Sequence, residues 1–197
     1  MSWYPKSSHT PPPEDMIYMD KLSEILTPMT RGLSRKGPAK ILPHLYLGNY
    51  DNALDVDNLH KLGITHVLNT AEGYTSTGPA FYAPKIEYKG FAGEDDHQYD
   101  IFQHFDMTRK FIDEAKASGG ICLIHCLMGI NRSGALAVGY YMLETKTPLI
   151  EAVRSVKSHR AILLVNQGFQ EQLIKFARKH HMLESIDEEP TPDPPRL

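Results

Sequence analysis

The sequence predicts an α/β fold in which a central mixed β-sheet is flanked by α-helices. From residue 41 onwards, β-branched or apolar runs alternate with stretches at helical spacing, which is typical of a sheet covered on both faces. The 197 residues, 41% hydrophobic and 23% charged, suffice for one domain with a single sizeable core. In addition, residues 126–132 connect a predicted strand to a predicted helix and carry residues suited to an anion.

Strands are predicted where β-branched or apolar residues cluster between turn-forming residues. "ITHVLNT" is rich in β-branched residues, and "ICLIH" is a continuous apolar run that indicates a strand buried on both faces. The predicted strands cover residues 41–49, 64–70, 85–91 and 121–125.

Helices are predicted where apolar residues recur every three or four positions. Residues 100–118 carry the clearest stripe, and the glycine pair that follows them is expected at a helix C-terminus. The stripe comprises Ile101, Phe102, Phe105, Phe111, Ile112 and Ala115. Residues 51–63 form another predicted helix, which ends at Gly63. The remaining predicted helices cover residues 16–27, 133–146, 147–160 and 166–182.

Composition divides the chain into four parts. Residues 1–14 are rich in Pro, Ser and Thr, and residues 183–197 are acidic and proline-rich, so both are predicted to be disordered tails. Residues 15–40 comprise an N-terminal helix and a basic linker. Residues 41–182 form the folded domain.

Charge and hydropathy argue against several classes of function. A formal net charge of −3 and a pI near 6.4 disfavour nucleic acid as the main partner, because proteins that bind it usually carry a basic excess. The first residues lack the apolar core of a secretory leader, and no run of about 18 apolar residues could span a bilayer. We therefore expect no membrane partner and a location in the cytoplasm, with the nucleus as the alternative. The sequence predicts no particular oligomeric state.

The two cysteines, Cys122 and Cys126, are predicted to be free thiols. In an extended run their Cα atoms lie about 13 Å apart, whereas a disulfide requires Cα atoms within roughly 7 Å. A metal site is also disfavoured, since no second Cys/His pair completes a set of four ligands.

The segment "IHCLMGINRSG", residues 124–134, is the strongest functional signal in the chain. Cys126 is either a small core hydrophobe at the end of a strand or a nucleophile at the floor of an anion-binding loop. Its neighbours favour the second interpretation. Gly129 interrupts the apolar run, while Arg132 and Ser133 fall in the first turn of a helix whose unpaired N–H groups attract an anion.

A nucleophilic cysteine must react as the thiolate, and this sets an energetic requirement. Moving a thiol pKa from about 8.5 to about 5.5 takes roughly 4 kcal/mol, whereas a helix N-terminus supplies at most about 2 kcal/mol. Loop amides, the hydroxyl of Ser133 and the charge of Arg132 are needed for the remainder. The planar guanidinium of Arg132 can also hold two phosphoryl oxygens, which indicates phosphoryl transfer.

His125, Cys126, five further residues, Arg132 and Ser133 resemble the signature loop of the cysteine-dependent protein tyrosine phosphatases. Segments 62–73, 111–115 and 166–173 are similar to parts of their atypical, VHR-like dual-specificity branch, so the resemblance covers about residues 40–175. It implies that residues 41–182 are a dual-specificity phosphatase catalytic domain.

The resemblance implies a phosphatase-type fold and a protein phosphatase that forms a cysteinyl-phosphate intermediate, without a metal or an organic cofactor. The implied partner is a phosphorylated protein, with phosphotyrosine and also phosphoserine and phosphothreonine as substrates. Cys126 would be the nucleophile, Arg132 would bind the phosphoryl group, and Ser133 would donate to the departing thiolate. His125 and Asn166 would support the loop. The phosphate-binding amides would be those of Leu127, Met128, Gly129, Ile130, Asn131 and Arg132.

A proton donor must also stand near the leaving oxygen, and residues 90–100 offer Glu94, Asp95, Asp96 and Asp100. Taken alone, these carboxylates are equally consistent with a solvated acidic turn. In the phosphatase family the acid lies seven residues after an aromatic or apolar residue that ends a strand. Counting from Tyr88, the resemblance therefore implies Asp95, with Asp96 as the rival.

Two features depart from the pattern of the family. Leu127 and Met128 make one side of the loop apolar, where many members carry charged or small residues, and Val165 replaces a proline often seen before the asparagine. Substrates could be selected by the N-terminal helix near Tyr18 and by residues 74–82. The alternative is that Tyr18 and Phe81 are packing residues.

Other functions on the same scaffold stay open as alternatives. Residues 131–134 also resemble the loop end of RNA 5′-triphosphatases of the same superfamily, which would need a basic channel. A phosphoinositide phosphatase would be expected to carry lysines in the loop, and this loop has none. A non-catalytic phosphopeptide-binding module would have no need of Cys126, Asp95 and Arg132 together.

Overall fold

The structure, a computed structural model, describes residues 12–27 and 37–185 and is built on a five-stranded mixed sheet. The strands are β1 (Ala39–Leu42), β2 (Leu45–Gly48), β3 (His66–Asn69), β4 (Glu87–Gly90) and β5 (Cys122–His125). Their order across the sheet is β1-β2-β5-β3-β4, and every pairing is parallel except that of β1 with β2. The predicted fold class is confirmed.

The helices occupy both faces of this sheet. They are α1 (Pro13–Leu26), α2 (Tyr50–Leu54), α3 (Val56–Lys61), α4 (Pro79–Tyr82), α5 (Phe105–Ala117), α6 (Arg132–Thr145), α7 (Leu149–His159) and α8 (Gln167–Lys179), with a 3-10 turn at Ile101–His104. None of the helices in the described residues is long and apolar enough to cross a bilayer.

Side chains of the central strand β5 point alternately to the two faces of the sheet, and both faces are packed. In β5, Cys122 and Ile124 belong to the larger core, which lies under the helices of the C-terminal half, while Leu123 belongs to the smaller core beside α3 and α4. All four residues of β5 are buried, as expected for an interior strand of a parallel sheet. In the edge strand β4, by contrast, exposed and partly buried residues alternate.

Some predicted elements differ in detail from the structure. Residues 41–49 were predicted to be one strand, but the chain reverses at Pro43–His44, so that β1 and β2 form an antiparallel hairpin. The helix predicted over residues 51–63 is divided at Asp55, whose side chain accepts from the N–H of Asn58 and caps α3. Helix α4 was not predicted at all.

The folded part extends slightly into both predicted tails. Helix α1 begins at Pro13 and buries Leu22 against the larger core. The Tyr18 hydroxyl donates to the backbone carbonyl of Glu184 at 2.8 Å, which supports the packing interpretation of this tyrosine. The carboxylate of Glu184 accepts from the N–H of Ile150 at 2.6 Å, near the start of α7. Residues 1–11, the linker residues 28–36 and residues 186–197 lie outside the described part of the chain.

Candidate active site

The loop of residues 126–132, called the phosphate loop here, joins the C-terminal end of β5 to the first residue of α6. Its start is fixed by the sheet, because β5 lies between β2 and β3 with His125 opposite Gly48 and Asn69. Thr70 adds two hydrogen bonds, since its N–H and its hydroxyl both donate to the His125 carbonyl, at 2.9 and 3.0 Å.

The phosphate loop turns four consecutive carbonyl groups outwards. The Leu127 oxygen accepts from the N–H of Tyr50, and the Ile130 oxygen from the N–H of Leu164, both at 3.0 Å. Between them, the oxygens of Met128 and Gly129 accept from Nη2 and Nε of Arg160, at 2.8 and 3.0 Å. In a trans peptide the C=O and the next N–H point in opposite directions. The four N–H groups of residues 128–131 are therefore turned towards the inside of the loop, where an anion would find them.

Gly129 shows this geometry directly, because its N–H donates to Cys126 Sγ at 3.1 Å. The residue has a φ of +65°, and a Cβ at this position would lie 2.3 Å from the carbonyl oxygen of Gly48. Only glycine fits here. The hydroxyl of Ser133 donates to the same sulfur at 3.3 Å, so the buried Cys126 faces two donors at once.

Arg132 lies at the mouth of the phosphate loop with its side chain almost fully buried. Its Nη1 donates to the carbonyl of Gly93 at 3.1 Å. Within residues 12–27 and 37–185 its buried Nε has no hydrogen-bond partner, which fits a guanidinium edge that binds an anion. The ring of Tyr74 lies over the guanidinium, 5.6 Å from centroid to Cζ, and is half exposed.

The segment of residues 93–100, called the acid loop here, brings one of its two adjacent aspartates to the phosphate loop. Asp95 accepts from the Asn131 side-chain amide at 3.1 Å to each oxygen, and from the Asn166 amide at 3.0 Å. Asp96 instead accepts from the N–H of Gln98 at 2.8 Å, within the acid loop itself. The two rivals for the acid role therefore have different surroundings.

His125 is fully buried beside the nucleophile candidate, and its Nδ1 lies 3.3 Å from the carbonyl oxygen of Cys126. Burial lowers the pKa of His125 to about 4, and the hydrogen bond to that carbonyl opposes the shift only in part. The imidazole is therefore neutral near pH 7. Its position supports a structural part in the loop and no part in proton transfer.

Asn166 connects three elements of the site. Its side-chain oxygen accepts from the Gly168 N–H at 3.0 Å and caps α8, while its own N–H donates to the side-chain oxygen of Asn131 at 3.1 Å. Two residues earlier, Leu164 has a φ of +51° and is buried. In this conformation its N–H donates to the Ile130 carbonyl at 3.0 Å, so the segment before Asn166 is held against the phosphate loop with Val165 in place of a proline.

Two contributors were missed by the interpretation of the sequence. Arg160 holds two carbonyls of the phosphate loop; burial lowers its pKa, and attraction to Cys126 opposes that effect. Asn131 was predicted only as a backbone amide, yet its side chain contacts Asp95. The sequence gives only a weak signal for this role of Arg160, in "SHRAILLVN". The residues that it binds, 128 and 129, lie more than 30 positions earlier in the chain.

The fold and this site define a cysteine-dependent phosphatase. A buried thiol lies at the floor of a strand–loop–helix turn, inward amides and a buried arginine surround it, and a carboxylate is held beside the loop.

Comparison with known proteins identifies the family. The family profile "Dual specificity phosphatase, catalytic domain" matches residues 45–179, and the chain belongs to this family. Human "Dual specificity protein phosphatase 26" is 38% identical over 142 residues, which cover 71% of this chain and 67% of that protein. The predicted family and enzyme class are thereby confirmed.

Solved structures agree with this assignment. The crystal structure of DUSP15 superposes with a TM-score of 0.66 at 34% identity, covering 72% of this chain and 87% of that one. A mouse putative dual specificity phosphatase complexed with zinc tungstate gives a TM-score of 0.68 at 29% identity, covering 79% and 98% of the two chains.

Proposed function

We propose that this member of the dual-specificity phosphatase family removes phosphate from phosphotyrosine, and from phosphoserine and phosphothreonine, in protein substrates by way of a phosphate ester of Cys126. The observation that carries the proposal is the set of four outward carbonyls, because it turns the N–H groups of residues 128–131 towards the inside of the loop, where that of Gly129 donates to the sulfur of Cys126. Such a ring of amides binds the three non-bridging oxygens of a phosphoryl group.

In the first step, the thiolate of Cys126 attacks phosphorus and the bond to the side-chain oxygen of the substrate breaks. The guanidinium of Arg132 and the loop amides bind the non-bridging oxygens, on which negative charge accumulates in the transition state. Asp95 transfers its proton to the leaving oxygen, so that a neutral hydroxyl departs. The products are the dephosphorylated side chain and the phosphorylated cysteine.

In the second step, water attacks the phosphorus of the intermediate and the bond to sulfur breaks. Asp95, now ionised, takes a proton from the water, and inorganic phosphate is formed. The hydroxyl of Ser133, which lies 3.3 Å from Sγ, stabilises the departing thiolate. Both steps use only side chains and amides of this chain.

The choice of Asp95 over Asp96 is supported by their partners. The Asn131 amide that contacts Asp95 belongs to the phosphate loop, and this contact supports a position of the carboxylate near a phosphoryl group bound there. Asp96 is turned to its own loop. The buried His125, whose pKa is lowered by burial, is not a rival proton carrier.

A protein substrate is favoured over the alternatives. The catalytic-domain family and the relatives named as protein phosphatases support it, and the exposed carboxylates of the acid loop disfavour an RNA backbone. A non-catalytic binding module would not need a carboxylate held beside the phosphate loop. The cytoplasmic or nuclear location and the assignment of residues 41–182 as the catalytic domain remain predictions.

The test measures phosphate release by the purified full chain from three substrates. They are a phosphotyrosine peptide, a phosphothreonine peptide of the same sequence, and a 5′-triphosphorylated RNA. We expect turnover of both peptides and a phosphocysteine adduct that can be trapped by acid quenching. The adduct should be missing from Cys126→Ser. Preference for the RNA, or turnover that survives in Cys126→Ser, would contradict the proposal.

A further inference from the structure

Three large apolar side chains border the phosphate loop and are exposed to solvent. Met128 is 65% exposed, Ile162 51% and Val165 47%, although apolar side chains of this size are usually buried. We call these three residues the apolar rim. Its members come from two segments, the phosphate loop itself and the turn between α7 and α8.

Hydrogen bonds hold these two segments side by side. Arg160 donates to the carbonyls of Met128 and Gly129, and the N–H of Leu164 donates to the Ile130 carbonyl at 3.0 Å. The N–H of Asn166 donates to the Asn131 side chain at 3.1 Å. The turn of residues 160–166 therefore runs along residues 128–131, and the apolar rim is continuous with the phosphate site.

The acid loop, which also borders the site, has the opposite character. Glu94, Asp95 and Asp96 are all exposed in the acid loop, and Asp95 is the carboxylate that contacts the phosphate loop. The site is thus bordered both by carboxylates and by the apolar rim, and the two borders meet where Asn166, next to Val165, contacts Asp95.

We propose that the apolar rim binds apolar residues that flank the phosphorylated residue of a protein substrate, and that the acidic border disfavours acidic flanks. This inference rests on the proposed function and adds a sequence preference to it. The occupant follows from the position of the nucleophile. Cys126 is only 1% exposed, so a phosphorylated side chain must enter the loop fully, which brings its neighbours along the substrate chain onto the rim.

The physical reason for a preference is the removal of apolar surface from water on both partners. A flanking leucine that covers part of Ile162 and Val165 stabilises the enzyme–substrate complex by the hydrophobic effect, whereas a flanking glutamate does not. A flanking glutamate, or a second phosphate, would also meet the charges of Glu94 and Asp96. Substrates with an apolar flank should thus be turned over more efficiently than substrates with an acidic flank.

The experiment measures kcat/KM for phosphotyrosine peptides of equal length that differ only in their flanking residues: leucine, alanine, lysine or glutamate on both sides. Para-nitrophenyl phosphate, which has no flanks, reports the basal activity. The test variant is Ile162→Ser combined with Val165→Ser. The matched control is Ile17→Ser, which removes an exposed apolar side chain from α1, a helix that packs on α7 and α8.

We expect the wild type to prefer the leucine peptide to the glutamate peptide by about tenfold, the range that small hydrophobic contacts give. The double variant should lose about fivefold on the leucine peptide alone, with para-nitrophenyl phosphate within about twofold of the wild type. Glu94→Gln should improve the glutamate peptide about two- to threefold. Ile17→Ser should behave as the wild type.

Four results would overturn the inference. One is an equal rate for all flanks, which leaves the proposed function intact. Another is a parallel loss on peptides and para-nitrophenyl phosphate, which would show that the rim only supports the loop. The third is a wild type that sediments as a dimer and a double serine variant that sediments as a monomer, because a second copy would then cover the rim. Turnover of para-nitrophenyl phosphate without turnover of any peptide would overturn both this inference and the proposed function.

Discussion

In the proposed mechanism the phosphate loop and the acid loop serve one reaction, but they are held in place in different ways. In the phosphate loop, Cys126, Gly129 and Arg132 are buried, and four successive carbonyls are fixed from outside. In the acid loop, residues 94–96 are exposed, and Asp95 is held through the side-chain amides of Asn131 and Asn166. One loop is set by folding itself, whereas the other depends on contacts that water can replace.

This difference has a consequence for how mutations act. A change in the phosphate loop alters the binding of the phosphoryl group, which all substrates share, and should lower all rates together. A change at Asp95 alters the protonation of the leaving oxygen, and its effect should depend on how well that oxygen leaves without a proton.

The largest effect is expected for Cys126→Ser. A hydroxyl is a far weaker nucleophile than a thiolate at neutral pH, so kcat/KM should fall by about 10⁴-fold or more for every substrate. The matched control is Cys122→Ser, four residues earlier in β5, where burial raises the pKa of the thiol and leaves it unreactive. This control should keep kcat/KM within about twofold and lose about 1 kcal/mol of stability. A loss of activity in Cys122→Ser would contradict the assignment.

The next effect is expected for Arg132→Lys, which keeps the charge but cannot bind two oxygens in parallel. We expect kcat/KM to fall by about 10³-fold, equally for para-nitrophenyl phosphate and for phosphopeptides. The slope of rate against leaving-group pKa should stay as in the wild type. A changed slope would mean that Arg132 acts on the leaving oxygen.

Asp95→Asn should distinguish the contribution of the acid loop from that of the phosphate loop. With an alkyl leaving group, as in phosphothreonine, kcat should fall by about 10²- to 10³-fold, whereas para-nitrophenyl phosphate should lose much less, since nitrophenolate leaves without a proton. Asp96→Asn is the matched control and should keep the leaving-group dependence of the wild type. Equal losses in Asp95→Asn and Asp96→Asn would refute the choice between the two aspartates.

A pH effect on stability is expected from His125. Its pKa is about 4 in the folded chain and about 6.5 when unfolded. Below pH 6.5 the unfolded chain therefore binds a proton that the folded chain excludes, so this contribution is present above pH 6.5 and is lost as the pH falls towards 4. From pH 7 to pH 4, the wild type should lose about 3 kcal/mol more than His125→Asn in urea unfolding. Parallel losses would show that His125 is protonated in the folded chain.

The smallest effect is expected for Arg160→Lys. A lysine keeps the positive charge but cannot reach the carbonyls of Met128 and Gly129 with a rigid fork. We expect kcat/KM to fall by about tenfold for all substrates, as in the other changes to the phosphate loop. Arg154→Lys, on the exposed side of α7, is the matched control and should be neutral. A leaving-group dependence in Arg160→Lys would contradict a role confined to the phosphate loop.

The parts of the molecule that the sequence predicted well are those with local causes. Strand β5, the start of α6 at Arg132 and the amphipathic helices α5, α7 and α8 follow from apolar runs and helical spacing. The break at Asp55 was missed because residues on both sides continue one helical pattern, while the capping bond to Asn58 ends it.

In the site, the proposed nucleophile Cys126 and Arg132 lie within seven residues of each other, so the sequence alone indicates that they act together. The acid could not be chosen from four nearby carboxylates without the family resemblance. Arg160 and the side chain of Asn131 could not be foreseen, because their contacts join segments that only the fold brings together. Long-range hydrogen bonds of this kind leave no periodic trace in a sequence.

The contact between Gly129 and Gly48 has a consequence for attempts to redesign the enzyme. A methyl group at residue 129 would lie 2.3 Å from the Gly48 oxygen, and one at residue 48 would lie 3.0 Å from the Asn52 and Leu123 side chains. In a randomised library of the phosphate loop, residue 129 should therefore return only glycine among active clones, while the exposed residue 128 accepts many side chains. New substrate preferences are best sought at the border of the site, while its floor is kept unchanged.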